Sequence, residues 1–137
     1  MARAVVDLIE AGLIESCHDV SDGGLAAAVA EMALLAAPDA AVGLRIDLAG
    51  IGGGVVAADV AARLLFCENG GFVIEVAEAN AGRVRRVLDE SGVWFRGLGR
   101  TTGERVLEIV GIDGARVALD LEEASRAWNH GAQRFMR

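Results

Sequence analysis

The sequence SCHDVSDGGLAAAVAEMALL, residues 16–35, decides how the rest of the chain is organised. Its first part, residues 18–24, is a polar turn rich in groups that cap helices or hold ions. Its second part predicts a helix whose only ionisable side chain is Glu31. A helix that is apolar on nearly all sides is normally buried among its neighbours. We therefore expect this helix, which should end near residue 37, to lie in the core.

Two adjacent glycines, Gly23 and Gly24, stand where this helix begins. They leave backbone N–H groups without side-chain cover at the positive end of the helix dipole, and such groups favour anions. Asp19 and Asp22 would repel a bare phosphate there, so two interpretations stay open. Either Ser21 or Asp22 simply caps the helix, or a divalent cation or a basic side chain bridges the carboxylates to a phosphate. Capping is the simpler interpretation.

The composition indicates one folded domain with its own core. The 137 residues are 53% hydrophobic, and the formal net charge of −7 argues against nucleic-acid binding. No apolar run reaches the roughly 20 residues needed to span a bilayer. The first residues include Asp7 and do not resemble a signal peptide, so we expect a cytoplasmic protein without a membrane partner.

Cys17 and Cys67 fit a reducing compartment, where both thiols would be free and buried.

Hydrophobic periodicity predicts the other elements in order. Helices are expected over residues 3–13, 57–65, 80–90 and 120–128, and strands over residues 14–20, 43–48, 72–76, 93–98, 106–110 and 116–121. The glycine-rich residues 49–56 predict a mobile connection, and residues 99–103 predict a turn. Pro38 is expected to end the second helix, Asp113 and Gly114 to join a hairpin, and Asp120 to cap the last helix.

This order of elements predicts an α+β fold. Helices and strands interleave without strict alternation, which favours a three-layer α/β/α arrangement with a mixed sheet covered by helices. Residues 72–110 have the β-α-β-β succession of a split βαβ unit, so part of the fold is expected to be ferredoxin-like.

The octapeptide HDVSDGGL, residues 18–25, resembles a superfamily of ATP-dependent enzymes. That superfamily includes aminoimidazole ribonucleotide (AIR) synthetase, selenophosphate synthetase and the hydrogenase-maturation carbamoyl dehydratase. The octapeptide is most similar to the phosphoribosylformylglycinamidine (FGAM) synthase family of the small-subunit type. LFCE at residues 65–68 is similar to an LFSE segment of that family, with Cys67 in place of serine. LEEASRAW at residues 121–128 is similar to its closing helix.

The resemblance implies a domain rather than a complete enzyme. Residues 1–137 would form the single C-terminal domain, of the AIR synthetase-like fold, in the second half of a longer synthase. The full enzyme would use ATP and Mg to amidate formylglycinamide ribonucleotide in de novo purine biosynthesis. Its partners would be an N-terminal ATP-binding domain of the same enzyme and a glutaminase subunit.

For the isolated domain the same resemblance implies a restricted role. It would hold no catalytic residue, metal or cofactor and would be inactive alone. Apolar surface left by the absent domain would favour homo-oligomers. The candidate substrate-binding or phosphate-binding residues are His18, Asp19, Ser21, Asp22, Gly23 and Gly24.

Two further interpretations stay open. The chain could be the equivalent domain of a selenophosphate synthetase or hydrogenase-maturation enzyme, or a non-catalytic binding or scaffold module.

His18 is most simply a turn or core histidine, and a strand would point Cys17 and His18 to opposite faces. A metal site built from Cys17, His18, Asp19 and Asp22 would need ligands from elsewhere in the chain.

Overall fold

The computed structural model describes residues 1–36 and 41–135. The helices are α1 (Ala2–Glu10), α2 (Gly24–Leu34), α3 (Ala49–Gly52), α4 (Ala58–Phe66), α5 (Ala81–Glu90) and α6 (Leu121–Phe135). The strands are β1 (Ser16–Asp19), β2 (Gly43–Asp47), β3 (Phe72–Glu75), β4 (Gly99–Thr102), β5 (Val106–Ile112) and β6 (Ala115–Asp120). The predicted break at Pro38 lies outside the described residues.

The strands form two sheets. Strands β4, β2, β5 and β6 make a four-stranded sheet in that order, with β2 and β5 parallel and the other pairs antiparallel. Strands β1 and β3 make a separate antiparallel ribbon. The α+β class with a mixed sheet is therefore confirmed. The split βαβ unit predicted over residues 72–110 is wrong, because β3 pairs with β1 whereas β5 belongs to the other sheet.

The larger core lies between the four-stranded sheet and helices α2, α4 and α6. Every residue of α2 is buried or half-buried, and Val29 is 0% exposed. This confirms that α2 is embedded among its neighbours, as its apolar composition predicts. The helix ends at Leu34, earlier than the predicted residue 37.

A second core cluster lies on the face of the β1–β3 ribbon that points away from the larger core. Ile74 packs against this cluster, whereas the preceding Val73 packs against the larger core. Because side chains alternate along a strand, helices cover both faces of the ribbon. The buried residues of the second cluster come from α1, α5 and the segment after α1: Ala4, Leu8, Leu13, Val84 and Leu88.

The strand predicted over residues 93–98 is wrong. Val93 and Phe95 pack against the second cluster while their neighbours are exposed, so burial alternates there without a sheet partner. Strand β4 instead covers residues that we predicted as a turn. It pairs with β2, and a Cβ at Gly99 would collide with the Arg45 carbonyl, so only glycine fits at this point of the ladder.

Residues 49–56 are more ordered than the predicted mobile connection. They contain the short helix α3, whose Ala49 amide donates to Asp47 Oδ1 at 2.9 Å. Val56 then forms an isolated bridge with Ile112, and its amide donates to the Gly111 carbonyl. The glycine content led us to predict a mobile segment. Contacts with β5 hold the segment in place instead.

The last third of the chain follows the sequence prediction closely. Strands β5 and β6 form a hairpin across Asp113 and Gly114, and Gly114 has a φ of +62°. Asp120 Oδ1 accepts hydrogen bonds from the Glu122 and Glu123 amides at 2.8 and 2.9 Å, so the predicted cap of α6 is confirmed. No helix in the described part of the chain is long and apolar enough to cross a membrane.

Candidate functional site

The candidate site is the turn that joins β1 to α2. Within β1, His18 is half-buried and Cys17 and Asp19 are exposed, so Cys17 and His18 point to opposite faces as predicted. Gly23 and Gly24 have φ angles of +79° and +67°, in the left-handed region that favours glycine. Helix α2 starts at Gly24, so both glycines stand at a helix N-terminus, as predicted.

Neither predicted side chain caps α2. The residue before the helix is Gly23, and no side-chain cap bond is made there by Ser21 or Asp22. Instead the Gly23 amide donates to Glu68 Oε1 at 2.9 Å. The capping interpretation is therefore wrong, because a carboxylate from after α4 holds the amide that a local cap would have held.

Gly24 also sits directly against the end of α4. A Cβ at this position would lie 2.7 Å from the Leu65 carbonyl oxygen and 2.9 Å from the Phe66 carbonyl carbon. These contacts require a residue without a side chain, in addition to the positive φ. The segments HDVSDGGL and LFCE, which lie far apart in the sequence, therefore pack against each other.

His18 connects β1 to the middle of α2. Its Nε2 donates to Glu31 Oε2 at 3.0 Å, and its Nδ1 donates to the Asp19 carbonyl at 2.7 Å. Since both ring nitrogens face oxygen acceptors, the geometry favours the doubly protonated imidazolium. The Asp19 carbonyl and then Glu31 raise the pKa of His18, although partial burial opposes the shift. In this state His18 has no lone pair with which to accept a proton.

Glu31 also lines a cavity between the C-terminal part of α2 and helix α6. The cavity has a volume of about 240 Å³. Two of its lining residues are large and exposed, with Leu35 80% and Trp128 60% accessible. The lining residues are Glu31, Leu34, Leu35, Ser125 and Trp128.

The site is acidic. Asp19 is the last residue of β1, Asp22 belongs to the turn, and Glu68 contacts the turn. A phosphate at the N-terminus of α2 would therefore need a cation to offset these carboxylates. Among the described residues, there is no group of three or more His, Cys, Asp or Glu side chains that could hold a metal ion.

Both cysteines are free and exposed, so the prediction that they are buried is wrong. Cys17 lies on the same face of the ribbon as its pairing partner Ile74, and Cys67 directly follows α4. Partial burial of the thiol and then the Asp19 carboxylate raise the pKa of Cys17. A raised pKa keeps the thiol protonated near neutral pH and lowers its reactivity.

The structure thus unites the predicted residues with two that sequence reasoning missed as site residues, Glu31 and Glu68. Glu31 was visible as the only ionisable side chain of its helix, and Glu68 closes the LFCE segment. Neither contact could be inferred from local spacing, because their partners lie 13 and 45 residues away. The predicted site residues that the turn brings together are His18, Asp19, Ser21, Asp22, Gly23 and Gly24.

Comparison with known proteins gives a family match over most of the chain. The model of the family described as AIR synthase related protein, C-terminal domain, matches residues 1–112. The phosphoribosylformylglycinamidine synthase subunit PurL of Methanothrix thermoacetophila is 33% identical over 140 residues, covering 100% of this chain and 16% of that protein. The chain spans about a sixth of the length of the curated synthase subunits that it matches.

Solved structures agree on the fold. PurL of Thermotoga maritima complexed with FGAR has a TM-score of 0.67 at 14% identity, over 90% of this chain and 20% of that one. The same protein complexed with ATP has a TM-score of 0.65 at 17% identity, over 90% and 20% of the two chains. At these identities the likeness establishes the fold alone.

Proposed function

The chain belongs to the family of AIR synthase related protein C-terminal domains, and we propose that it acts as the C-terminal domain in the second half of a phosphoribosylformylglycinamidine synthase. The whole enzyme would amidate formylglycinamide ribonucleotide with ATP in purine biosynthesis. The observation that carries the proposal is the 33% identity with a synthase subunit along 100% of this chain. The octapeptide at residues 18–25, with the LFCE segment packed against it, supports the same assignment.

The proposed domain works with parts that lie outside this chain. An N-terminal ATP-binding domain of the same enzyme would complete the ATP and Mg site, and a glutaminase subunit would supply ammonia. Separate complexes of Thermotoga maritima PurL with FGAR and with ATP support these ligands for the whole enzyme. Residues 1–137 would be one domain of that enzyme.

In this proposal the glycine turn contributes to a phosphate-binding region at the interface with the N-terminal domain. The first-turn amides of an α-helix lack intrahelical acceptors, and in α2 these include Leu25 and Ala26. They would donate to phosphate oxygens. A Mg ion would bridge the phosphate to Asp19 or Asp22, because hard cations prefer oxygen ligands.

A domain exchange tests the proposed function. The 137 residues would replace the matching segment of the Methanothrix thermoacetophila synthase subunit, and the chimera would be assayed with ATP, formylglycinamide ribonucleotide and ammonia. We expect measurable product, and we expect the substitution Gly24→Val in the chimera to abolish it. A chimera that folds, as judged by circular dichroism, but makes no product would contradict the assignment.

The isolated chain tests the restricted role. Purified residues 1–137, given the same three substrates, are expected to form no product, because they supply only part of the proposed active site. Appreciable turnover would show that the chain is a complete catalyst and would overturn this part of the proposal.

An NMR titration tests the glycine turn. Adding ATP and Mg to the labelled chain should shift the amide resonances of Gly23, Gly24 and Leu25. Shifts that spare these three residues would exclude the turn as a phosphate-binding region.

A further inference from the structure

Strand β6 forms one edge of the four-stranded sheet, and β5 is its only strand neighbour among the residues that the structure describes. All six of its residues are exposed. Two of them are large and apolar, Val117 at 47% and Leu119 at 38% accessibility. An edge strand with free backbone groups and exposed apolar side chains is a template for pairing with another strand.

The hydrogen bonds of the hairpin define which backbone groups of β6 point outward. The Leu121 amide donates to the Arg105 carbonyl at 3.1 Å, which extends the register that pairs Asp120 with Val106. Bonded and non-bonded pairs alternate along an antiparallel ladder. Residues 117 and 119 therefore direct their N–H and C=O groups toward β5, and residues 116, 118 and 120 direct theirs away from the sheet.

The side chains of β6 divide between the two faces of the sheet. Val117 and Leu119 stand opposite the buried residues Ile109 and Leu107, on the face that covers the core. Arg116 and Asp120 lie on the other face. There Arg116 Nε donates to Glu108 Oε1 at 2.9 Å and its side chain remains 66% exposed.

We propose that β6 is a self-pairing edge, through which two copies of this chain join their sheets around a twofold axis. Ala118 would stand opposite the second copy's Ala118 on that axis. The strands would be antiparallel and would form one continuous eight-stranded sheet. Six backbone hydrogen bonds, from residues 116, 118 and 120 of each copy, would close the outward-facing ladder.

The argument for a second copy is that this register is complementary to itself. Arg116 comes to lie opposite the second copy's Asp120, and Val117 opposite the second copy's Leu119, each twice by symmetry. Opposite charges and apolar pairs are the cross-strand combinations that stabilise a sheet. Both bonds that cap α6 use Asp120 Oδ1, so Oδ2 can accept from the guanidinium of the second copy.

No neighbouring register gives the same match. If the register shifts so that Val117 lies on the axis, Arg116 faces the second copy's Ala118. If it shifts so that Leu119 lies on the axis, Asp120 faces the second copy's Ala118. Neither shift keeps the pair between Arg116 and Asp120. The other edge strand, β4, carries Arg100 as its only charge and so has no self-complementary charge pair. The observations therefore favour β6 and this one alignment.

Sedimentation of the 137-residue chain tests the proposal. Between about 10 µM and about 500 µM we expect a reversible monomer–dimer equilibrium. Ala118→Pro should weaken it at least about tenfold, because proline removes an outward amide and leaves the β5 ladder intact. A chain that stays monomeric throughout this range, or a dimer that a folded Ala118→Pro variant leaves unchanged, would overturn the proposal.

Charge reversal gives a second test that does not depend on proline. Arg116→Glu alone and Asp120→Arg alone each place like charges opposite one another and should each abolish the dimer. Mixed in equal amounts, the two variants should form a heterodimer, because every 116–120 pair is then of opposite charge. Arg100→Glu on β4 is the matched control and should dimerise normally. Folded variants that fail to associate when mixed would contradict the alignment.

Hydrogen exchange locates the interface. The amides of residues 116 and 118 should become protected as concentration rises, whereas those of residues 117 and 119 should be protected at every concentration by their bonds to β5. Concentration-dependent protection confined to the cavity near Leu35 and Trp128 would place the second copy elsewhere and would refute the self-pairing edge.

Discussion

The Gly23 amide donates to the carboxylate of Glu68 at 2.9 Å, across 45 residues of sequence. The positive end of the α2 dipole is thus stabilised by a side chain from another element rather than by a local cap. The contact fastens the segment after α4 onto the glycine turn. Any movement of that segment relative to α2 would break it.

Replacing Glu68 should therefore destabilise the fold modestly. For Glu68→Ala we expect the free energy of unfolding to fall by about 1 kcal/mol, since the bond is exposed and a typical hydrogen bond contributes about that much. Glu68→Gln keeps the accepting oxygen and should cost less. Urea denaturation followed by circular dichroism measures both changes. Glu15→Ala, at another exposed glutamate, is the control, and a loss as large as that of Glu68→Ala would show that the effect is not specific.

Gly24 should tolerate no side chain. Gly24→Ala places a Cβ against the Leu65 carbonyl at a residue whose φ is +67°, and we expect a loss of about 1–3 kcal/mol in the free energy of unfolding. Gly82→Ala is the matched control, because Gly82 lies exposed within α5 with no atom near its Cβ position. It should raise stability by about 0.5 kcal/mol. Equal effects of the two changes in thermal melts would contradict the close packing at Gly24.

The elements that the sequence predicted well are those whose causes are local. Helix α2 follows from a run with a single ionisable residue, and the β5–β6 hairpin follows from Asp113 and Gly114. The Asp120 cap acts over two and three residues. In each case the residues that determine the structure are neighbours in the chain, so a short window of sequence contains the physical reason.

What the sequence did not reveal depends on contacts between distant segments. Residues 93–98 alternate like a strand because one side packs on a helical cluster, and nothing in the segment itself tells this from sheet pairing. Strand β4 looks like a turn by composition, and only its neighbour β2 makes it a strand. The candidate site could not be predicted fully for the same reason. Ser21 and Asp22 are plausible caps by sequence, and only the fold shows that Glu68 accepts from the Gly23 amide.

The link between His18 and Glu31 should make stability depend on pH. The folded-state pKa of His18 is raised above its ordinary value of 6.5, first by the Asp19 carbonyl and then by Glu31. A raised pKa contributes stability that is fully present below the unfolded pKa and is lost as the pH rises through the folded pKa. We expect urea denaturation to show this contribution at about pH 5.5 and a smaller contribution at about pH 8.5.

Glu31→Gln separates this effect from the other titrating groups of the chain. The variant removes the charge that faces His18 Nε2, so it should lower the pKa of His18 in an NMR titration and reduce the difference in stability between the two pH values. Glu90→Gln, at an exposed glutamate at the end of α5, should leave both unchanged. A His18 pKa at or below 6.5 in the wild-type chain would contradict the doubly bonded geometry.

The N-termini of helices α2 and α6 differ in how they are capped, and the last prediction follows from this difference. Asp120→Ala should lower the melting temperature, because the Asp120 carboxylate accepts from both the Glu122 and Glu123 amides. Those two amides, Glu123 first, also lower the pKa of Asp120. Its contribution is therefore present above the unfolded pKa and is lost as the pH falls through the folded pKa.

Ser21→Ala and Asp22→Ala serve as the comparison, since both stand before α2 as Asp120 stands before α6, yet neither makes a cap bond. Each should change the free energy of unfolding by less than about 0.5 kcal/mol, as is usual for exposed positions. Thermal melts at neutral pH and at about pH 3 measure the contrast, and the Asp120→Ala difference should shrink at the acidic value. If Asp22→Ala destabilised the chain as much as Asp120→Ala, then Asp22 would cap α2 in solution, contrary to the structure.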